Sequence, residues 1–132
     1  MKKDTNKKII IGFSIGDYNG IGPEILLKSF SDSKLLHNFI PVVFCDKHIL
    51  EFYSKRYGYE FKIKETDNLD SITDDNLIYT FPIPNTEIEI LPGEIKKESG
   101  NYAVKSLEEC TNAQINKKID GSNFLLSKFQ VR

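Results

Sequence analysis

Residues 8–30 read KIIIGFSIGDYNGIGPEILLKSF, and the fold turns on how this stretch divides. Lys8 to Phe13 is a nearly unbroken, β-branched apolar run, which suits a strand covered on both faces, as in parallel sheets. A loop carrying Gly16, Gly20 and Gly22 follows. Pro23 then stands where a first helical residue belongs, since the amide it lacks would be unpaired there and its φ is already helical. Glu24 beside it favours the positive end of the helix dipole. The run EILLKSF supplies an apolar face to Phe30, and the helix is expected to fade near SDSK.

Working outward, FIPVVFC (Phe39 to Cys45) reads as a second buried strand with Pro41 near its start. Asp46 suits the N-cap of a helix through HILEFYSKRY, and Gly58 suits its stop. Ile49, Leu50, Tyr53 and Tyr57 share one face of that helix. Short strands are expected at Phe61 to Lys64, Leu77 to Phe81 and Glu87 to Ile90, with a polar acidic connection between the first two. Ser99 is expected to cap a last helix to about Asn116, with Ala103, Leu107 and Cys110 inward. The residues KKID then resemble the approach to a further strand that does not arrive. This order predicts an α/β class, a layered α/β/α domain with a mostly parallel sheet. Residues 1–120 form the expected domain and 121–132 a divergent tail, in which Phe124, Leu125, Leu126 and Phe129 have no evident core to join.

The chain has 132 residues, enough for one domain with a real core. A formal net charge of −1 gives no general attraction to nucleic acid or to an anionic membrane. The basic start MKKDTNKK leads into an apolar run too short for a secretory signal, and no stretch approaches a bilayer span. Cys45 and Cys110 lie far apart, which predicts two free thiols in a cytoplasmic protein. His37 and His48 show no metal-ligand spacing with them. They read as solvated, and Asp67 to Asp75 as a solvated acidic loop. Lys96, Lys97, Lys117 and Lys118 read as surface charges.

A strand, a glycine loop and a helix N-terminus together present backbone amides to a ligand. The spacing here, Gly16-x3-Gly20-x-Gly22, is neither GxGxxG nor the P-loop. Asp17 also disfavours a phosphate in the loop, because a carboxylate repels it without an intervening cation. An acid there suits a hydroxyl, an amide or a cation. The plainer alternative is that the glycines satisfy a tight strand-to-helix turn and nothing more.

As a word, SIGDYNGIGPEILLKSF resembles the start of the 4-hydroxythreonine-4-phosphate dehydrogenase family, whose pattern there is close to T-x-G-D-P-A-G-I-G-P-E. Gly16, Asp17, Gly20, Ile21, Gly22, Pro23 and Glu24 match, while Tyr18 and Asn19 replace the usual Pro-Ala pair. Isocitrate and isopropylmalate dehydrogenases share the G-D-G-I-G-P-E core. A second stretch, GEIKKESGNYAVKSLEEC, resembles the family's S-x-x-x-G-x-x-A/V segment and the helix behind it, and it separates the two groups. PVVFCDKHIL fits the second strand and helix, so the resemblance runs to about Asp120.

The resemblance implies an incomplete part of an isocitrate/isopropylmalate dehydrogenase-like two-lobed fold, dimeric in the family. It implies NAD-dependent oxidation and decarboxylation of a phosphorylated small molecule, 4-phosphohydroxy-L-threonine, in pyridoxal phosphate biosynthesis. A divalent metal (zinc, magnesium or cobalt) held by histidines polarises the reacting oxygens in such enzymes. Gly16, Asp17, Gly20 and Gly22 are the cofactor-binding candidates. The family's A-L-V-T-A-P-I-x-K strand, its G-H-T segment and its three metal histidines have no counterpart in these residues, so no catalytic residue and no metal ligand is assigned. SNFLLSKFQ resembles the connector ahead of the G-H-T segment, and a degenerate tail fits equally. The expectation is a fragment that does not turn over by itself. Two alternatives stand beside it: a non-catalytic remnant or interaction protein, and a small nucleotide- or phosphate-binding module.

Overall fold

The computed structural model describes residues 8–32, 36–73, 77–84 and 86–123. Strand β1 is Ile9–Ser14, inside the sheet rather than at its edge. Alternate residues of β1 serve opposite faces, as the pleat dictates. Gly12 lies under Cys110 and Ile119, whereas the Phe13 ring meets Phe30 edge-on at 5.2 Å between centroids. Helix α1, Gly22–Phe30, therefore covers one face. Strand β2, Phe39–Phe44, runs parallel beside β1, with Phe13 opposite Val43. Helix α2, Lys47–Tyr57, packs beside α1. It stops at Gly58, whose left-handed φ of 77° a side chain would resist.

Strand β3 is Ile63–Glu65 and β4 is Ile78–Thr80, with a 3-10 turn at Leu69–Ser71 between them. Helix α3, Lys97–Ile115, crosses the opposite face over β1 and β2. Strand β5, Gly121–Asn123, then pairs with the free side of β1. The sheet order is β3-β4-β2-β1-β5 and all the pairings are parallel. The layered α/β reading holds. Phe13, Leu26, Leu27, Phe30, Val43 and Ile49 are among the buried core side chains.

Several sequence expectations change. A strand does follow Asp120: β5 is only three residues long, too short to show a pattern, and the Asp120 amide already donates to Ile10 O at 2.8 Å. Residues 87–90 alternate as a strand would, with Glu87 and Glu89 exposed and Ile88 and Ile90 half-buried, yet they pair with no strand among the described residues. Helix α3 begins before Ser99 and buries Ser99, Tyr102, Ser106, Cys110 and Ala113. Leu107, expected inward, is exposed, and Ala103 is half-buried. Tyr57 is exposed at the end of α2. Phe124, Leu125, Leu126 and Phe129 lie outside the described residues, as does part of the acidic loop.

Candidate functional site

The loop between β1 and α1 is not the bare, exposed turn that its glycines suggest. Gly16, Tyr18, Asn19 and Gly22 are buried, Asp17 is half-buried, and Gly20 and Ile21 reach solvent. Gly16 takes φ 72°, which explains glycine at that position. Asp17 to Gly20 form a tight turn in which the Gly20 amide donates to Asp17 O at 3.0 Å. Asp17 Oδ1 accepts the Asn19 amide at 2.8 Å, so part of that carboxylate shapes the loop itself. Of the four cofactor-binding candidates, Gly20 is exposed and Asp17 half-buried, and none of the four is among the residues that line the cleft beside the loop. Gly16 shapes the turn through its φ, and Gly22 is buried at the start of α1.

Tyr18 and Asn19, the two departures from the family pattern, anchor the loop. The Tyr18 ring stacks edge-on against Tyr102 of α3, and its carbonyl accepts the Tyr53 hydroxyl of α2 at 2.6 Å. Burial lifts the Tyr53 phenol to about 12. Asn19 Oδ1 accepts the Leu91 amide at 2.7 Å, and Asn19 O accepts the Gly93 amide at 2.7 Å. Asn19 thereby ties the loop to the turn that leads into α3. Its Nδ2 is buried without a hydrogen-bond partner in the structure.

Helix α3 completes the site from the far face. Ser106 Oγ donates to Phe44 O at 2.6 Å and accepts the Ile15 amide at 3.0 Å. One hydroxyl thus bridges the ends of β1 and β2. Four residues earlier, Tyr102 Oη accepts the Asp46 amide at 2.7 Å and donates to Asp46 Oδ1 at 2.5 Å. The same carboxylate oxygen accepts the Ile83 amide at 3.2 Å. Burial, with Cys45 and Asp46 close by, drives the Tyr102 phenol far above its ordinary range. Strand β2 leads to a helix on one face of the sheet and β4 toward a helix on the other. Ligand crevices of open parallel sheets lie at such divergent strand ends. Asp46 stands at the N-cap position of α2, as the sequence suggests, but makes no side-chain cap there, and its carboxylate holds the crevice together instead. Only the position after a buried strand could have hinted at this.

Beside the loop opens a cleft of about 450 Å³, lined by Tyr18, Glu87, Ile88, Glu89, Leu91, Lys96 and Glu98. Three carboxylates face one ammonium, and Lys96 Nζ already lies 3.4 Å from Glu94. The lining suits a ligand's hydroxyls or a cationic group better than a bare phosphate. Burial chiefly, with the charges of Glu98 and Asp17, raises the Tyr18 phenol. Cys45 and Cys110 are free and buried, and burial pushes the Cys110 thiol up to about 12. They are core groups rather than ligands. His37 and His48 are exposed. Among the described residues no three His, Cys, Asp or Glu side chains gather as metal ligands, so these residues do not fit the metal that the resemblance implies. Among them, too, no helix is long and apolar enough to cross a membrane.

Known proteins were compared with this architecture. No family model matches the chain. A 4-hydroxythreonine-4-phosphate dehydrogenase from Prosthecochloris aestuarii is 29% identical over 105 residues, which are 76% of this chain and 31% of that protein. The crystal structure of a 4-hydroxythreonine-4-phosphate dehydrogenase from Burkholderia phymatum superposes with a TM-score of 0.77, covering 93% of this chain and 39% of that one at 21% identity. By sequence and by fold, the chain resembles a part of the 4-hydroxythreonine-4-phosphate dehydrogenases. A protein named as a candidate D-threonate 4-phosphate dehydrogenase, from Oceanobacillus iheyensis, is 31% identical over 107 residues, 77% of this chain and 31% of that one. The chain spans about a third of the length of these curated relatives.

Proposed function

We propose that this chain forms the cofactor-facing half-lobe of an NAD-dependent dehydrogenase acting on a phosphorylated hydroxy acid, with 4-phosphohydroxy-L-threonine or D-threonate 4-phosphate as substrate. The observation that carries this reading is the loop of residues 16–22, held by Tyr53, Asn19 and α3 beside a polar cleft at the strand ends. The resemblance to dehydrogenases named for such substrates supports it. Gly20 lets a ligand approach the backbone, and Asp17 offers an acceptor to a ribose hydroxyl or a nicotinamide amide. The nicotinamide supplies the redox step when bound. Phosphate binding and metal binding fall to residues beyond those described, in a cytoplasmic enzyme that is dimeric when complete. The chain alone binds NAD weakly and does not turn over.

Nuclear magnetic resonance titration of the full chain with NAD tests this. Amide shifts are expected at Asp17, Tyr18, Gly20 and Ile21, with weaker binding in Asp17→Ala. A titration that leaves those amides still would sink the cofactor role. Neither substrate, with zinc, magnesium or cobalt added, is expected to yield NADH. Metal-dependent NADH that disappears in Asp17→Ala would overturn the inactivity. A second reading, a non-catalytic interaction protein, draws on the uncovered apolar face of α3.

A further inference from the structure

Residues 52–64 read FYSKRYGYEFKIK. The chain has nine phenylalanines and six tyrosines, and five of them fall in this short stretch: Phe52, Tyr53, Tyr57, Tyr59 and Phe61. Lys55, Arg56, Lys62 and Lys64 stand among them against one acid, Glu60, in a chain whose formal net charge is −1. The loop of residues 16–22 and the cleft beside it use this stretch only through Tyr53.

The fold gathers the stretch at one corner. It begins in the last turns of α2, turns at Gly58 and runs into β3, an edge strand of the sheet. The Tyr59 amide donates to Ser54 O at 2.8 Å, so the chain folds back against the end of α2, and α2 packs on β3. Phe52 meets Tyr53 edge-on at 5.0 Å between centroids, Tyr53 and Tyr57 stack at 6.1 Å with planes 11° apart, and Tyr59 and Phe61 lie 5.5 Å apart. Of these rings only Tyr53 is buried; Phe52 is 37% exposed, Tyr57 40%, and Tyr59 and Phe61 are half-buried. All four cations are exposed, and among the described residues none of them is in an ion pair. Arg56 lies close enough to the rings to act on the Tyr53 phenol.

Local structure explains part of this pattern. Cations suit the C-terminal end of a helix, and lysines on an edge strand discourage pairing with other chains. Neither calls for rings left in water between the cations. Exposed aromatic faces set among cations are the chemistry that grips unpaired nucleotides, since the cations take phosphates and the rings take base faces. A lipid surface asks for a continuous apolar face, which these cations interrupt.

We infer that this corner is a docking surface for single-stranded nucleic acid, with bases stacking on Phe52 and Tyr57 and phosphates pairing with Lys55, Arg56, Lys62 and Lys64. It shares no exposed residue with the loop or the cleft and goes beyond the dehydrogenase reading. The overall charge of −1 supplies no long-range pull, so the contact is local and weak.

Fluorescence anisotropy of a labelled oligouridylate of about twelve nucleotides, titrated with the full chain, tests the assignment. Binding is expected with a dissociation constant of roughly 1–100 μM at physiological salt. Four phosphate contacts weaken it about fiftyfold between roughly 50 and 200 mM salt, and Arg56→Ala makes that dependence shallower. Tyr57→Ala weakens binding about tenfold and leaves the salt dependence as it was, whereas Tyr57→Phe, which keeps the ring, binds as the parent does. Thermal melts of each variant check that the fold is intact. Lys105→Ala, on α3, leaves binding unchanged. A chain that binds no oligonucleotide at about 50 mM salt overturns the proposal. So does equal affinity for a duplex of the same length, capture by phosphatidylserine vesicles in place of the oligonucleotide, or affinity that Arg56→Ala or Tyr57→Ala leaves unmoved. None of these outcomes bears on NAD binding at the loop, so this inference and the proposed function fail separately.

Discussion

Replacing Ser106 with alanine removes one oxygen from the fold and little volume. That oxygen is fully buried and makes two bonds, to Phe44 O at 2.6 Å and from the Ile15 amide at 3.0 Å. A buried hydrogen bond contributes about 1 kcal/mol net, and desolvated partners left behind add to the loss. The expected destabilisation is therefore about 2–3 kcal/mol, a large share of the ~5–15 kcal/mol that holds a typical domain. At roughly 4 °C per kcal/mol for a chain of this size, the melting temperature falls by about 8–12 °C. The chain has no tryptophan and six tyrosines, so far-ultraviolet circular dichroism in urea is the suitable readout. Lys105→Ala, one residue away on the exposed side, is the control and shifts stability by less than about 0.5 kcal/mol. A Ser106→Ala midpoint indistinguishable from that control would refute the claim that this hydroxyl joins the two strand ends.

Two further substitutions probe the core. A methyl added to Gly12 would lie 2.5 Å from Ile119 Cδ1, 3.0 Å from Phe44 Cε1 and 3.1 Å from Cys110 Sγ; Gly12→Ala is expected to cost about 1–3 kcal/mol in urea unfolding, part of it recovered in Gly12→Ala/Ile119→Val. At high pH the sign follows from burial: Tyr53, raised from 10.0 to about 12, holds its proton more tightly folded than unfolded. Its contribution to stability is whole below pH 10 and is lost as pH climbs through about 12. Tyr18 and Tyr102 shift the same way. A pH series of melting temperatures should show a steep alkaline fall, made shallower in Tyr53→Phe, and an equal fall in that variant would contradict the assignment.

The local part of this fold could be read directly. The run at 9–14, the proline at position 23 and the glycine at position 58 carry their structural consequences within a few residues, and β1, α1, β2 and α2 stand close to where those signals put them. The site was hidden because its bonds are distant in sequence. Ser106 reaches Ile15 across 91 residues and Phe44 across 62. A hydropathy pattern turned α3 toward Leu107, whereas the buried face is chosen by hydroxyls that strand ends require. Asp46 and Asn19 are similar cases: each is a plausible turn residue, and each proves to hold together segments that only the fold makes neighbours. The alternation at 87–90 misled for the opposite reason, since side chains can alternate between core and solvent with no strand beside them to pair with.

The interior place of β1 bears on how the chain is made. Its first neighbour, β2, emerges from the ribosome soon after it, but its second, β5, comes about a hundred residues later, once Asp120 can reach back to Ile10. Until then one side of β1 stands open, and the β1-α1-β2-α2 segment is a nascent chain with an aggregation-prone border. Any delay between the emergence of β2 and that of β5 prolongs that exposure. Slow codons placed beyond β2 should therefore lower soluble yield, because they lengthen the time for which β1 waits for β5.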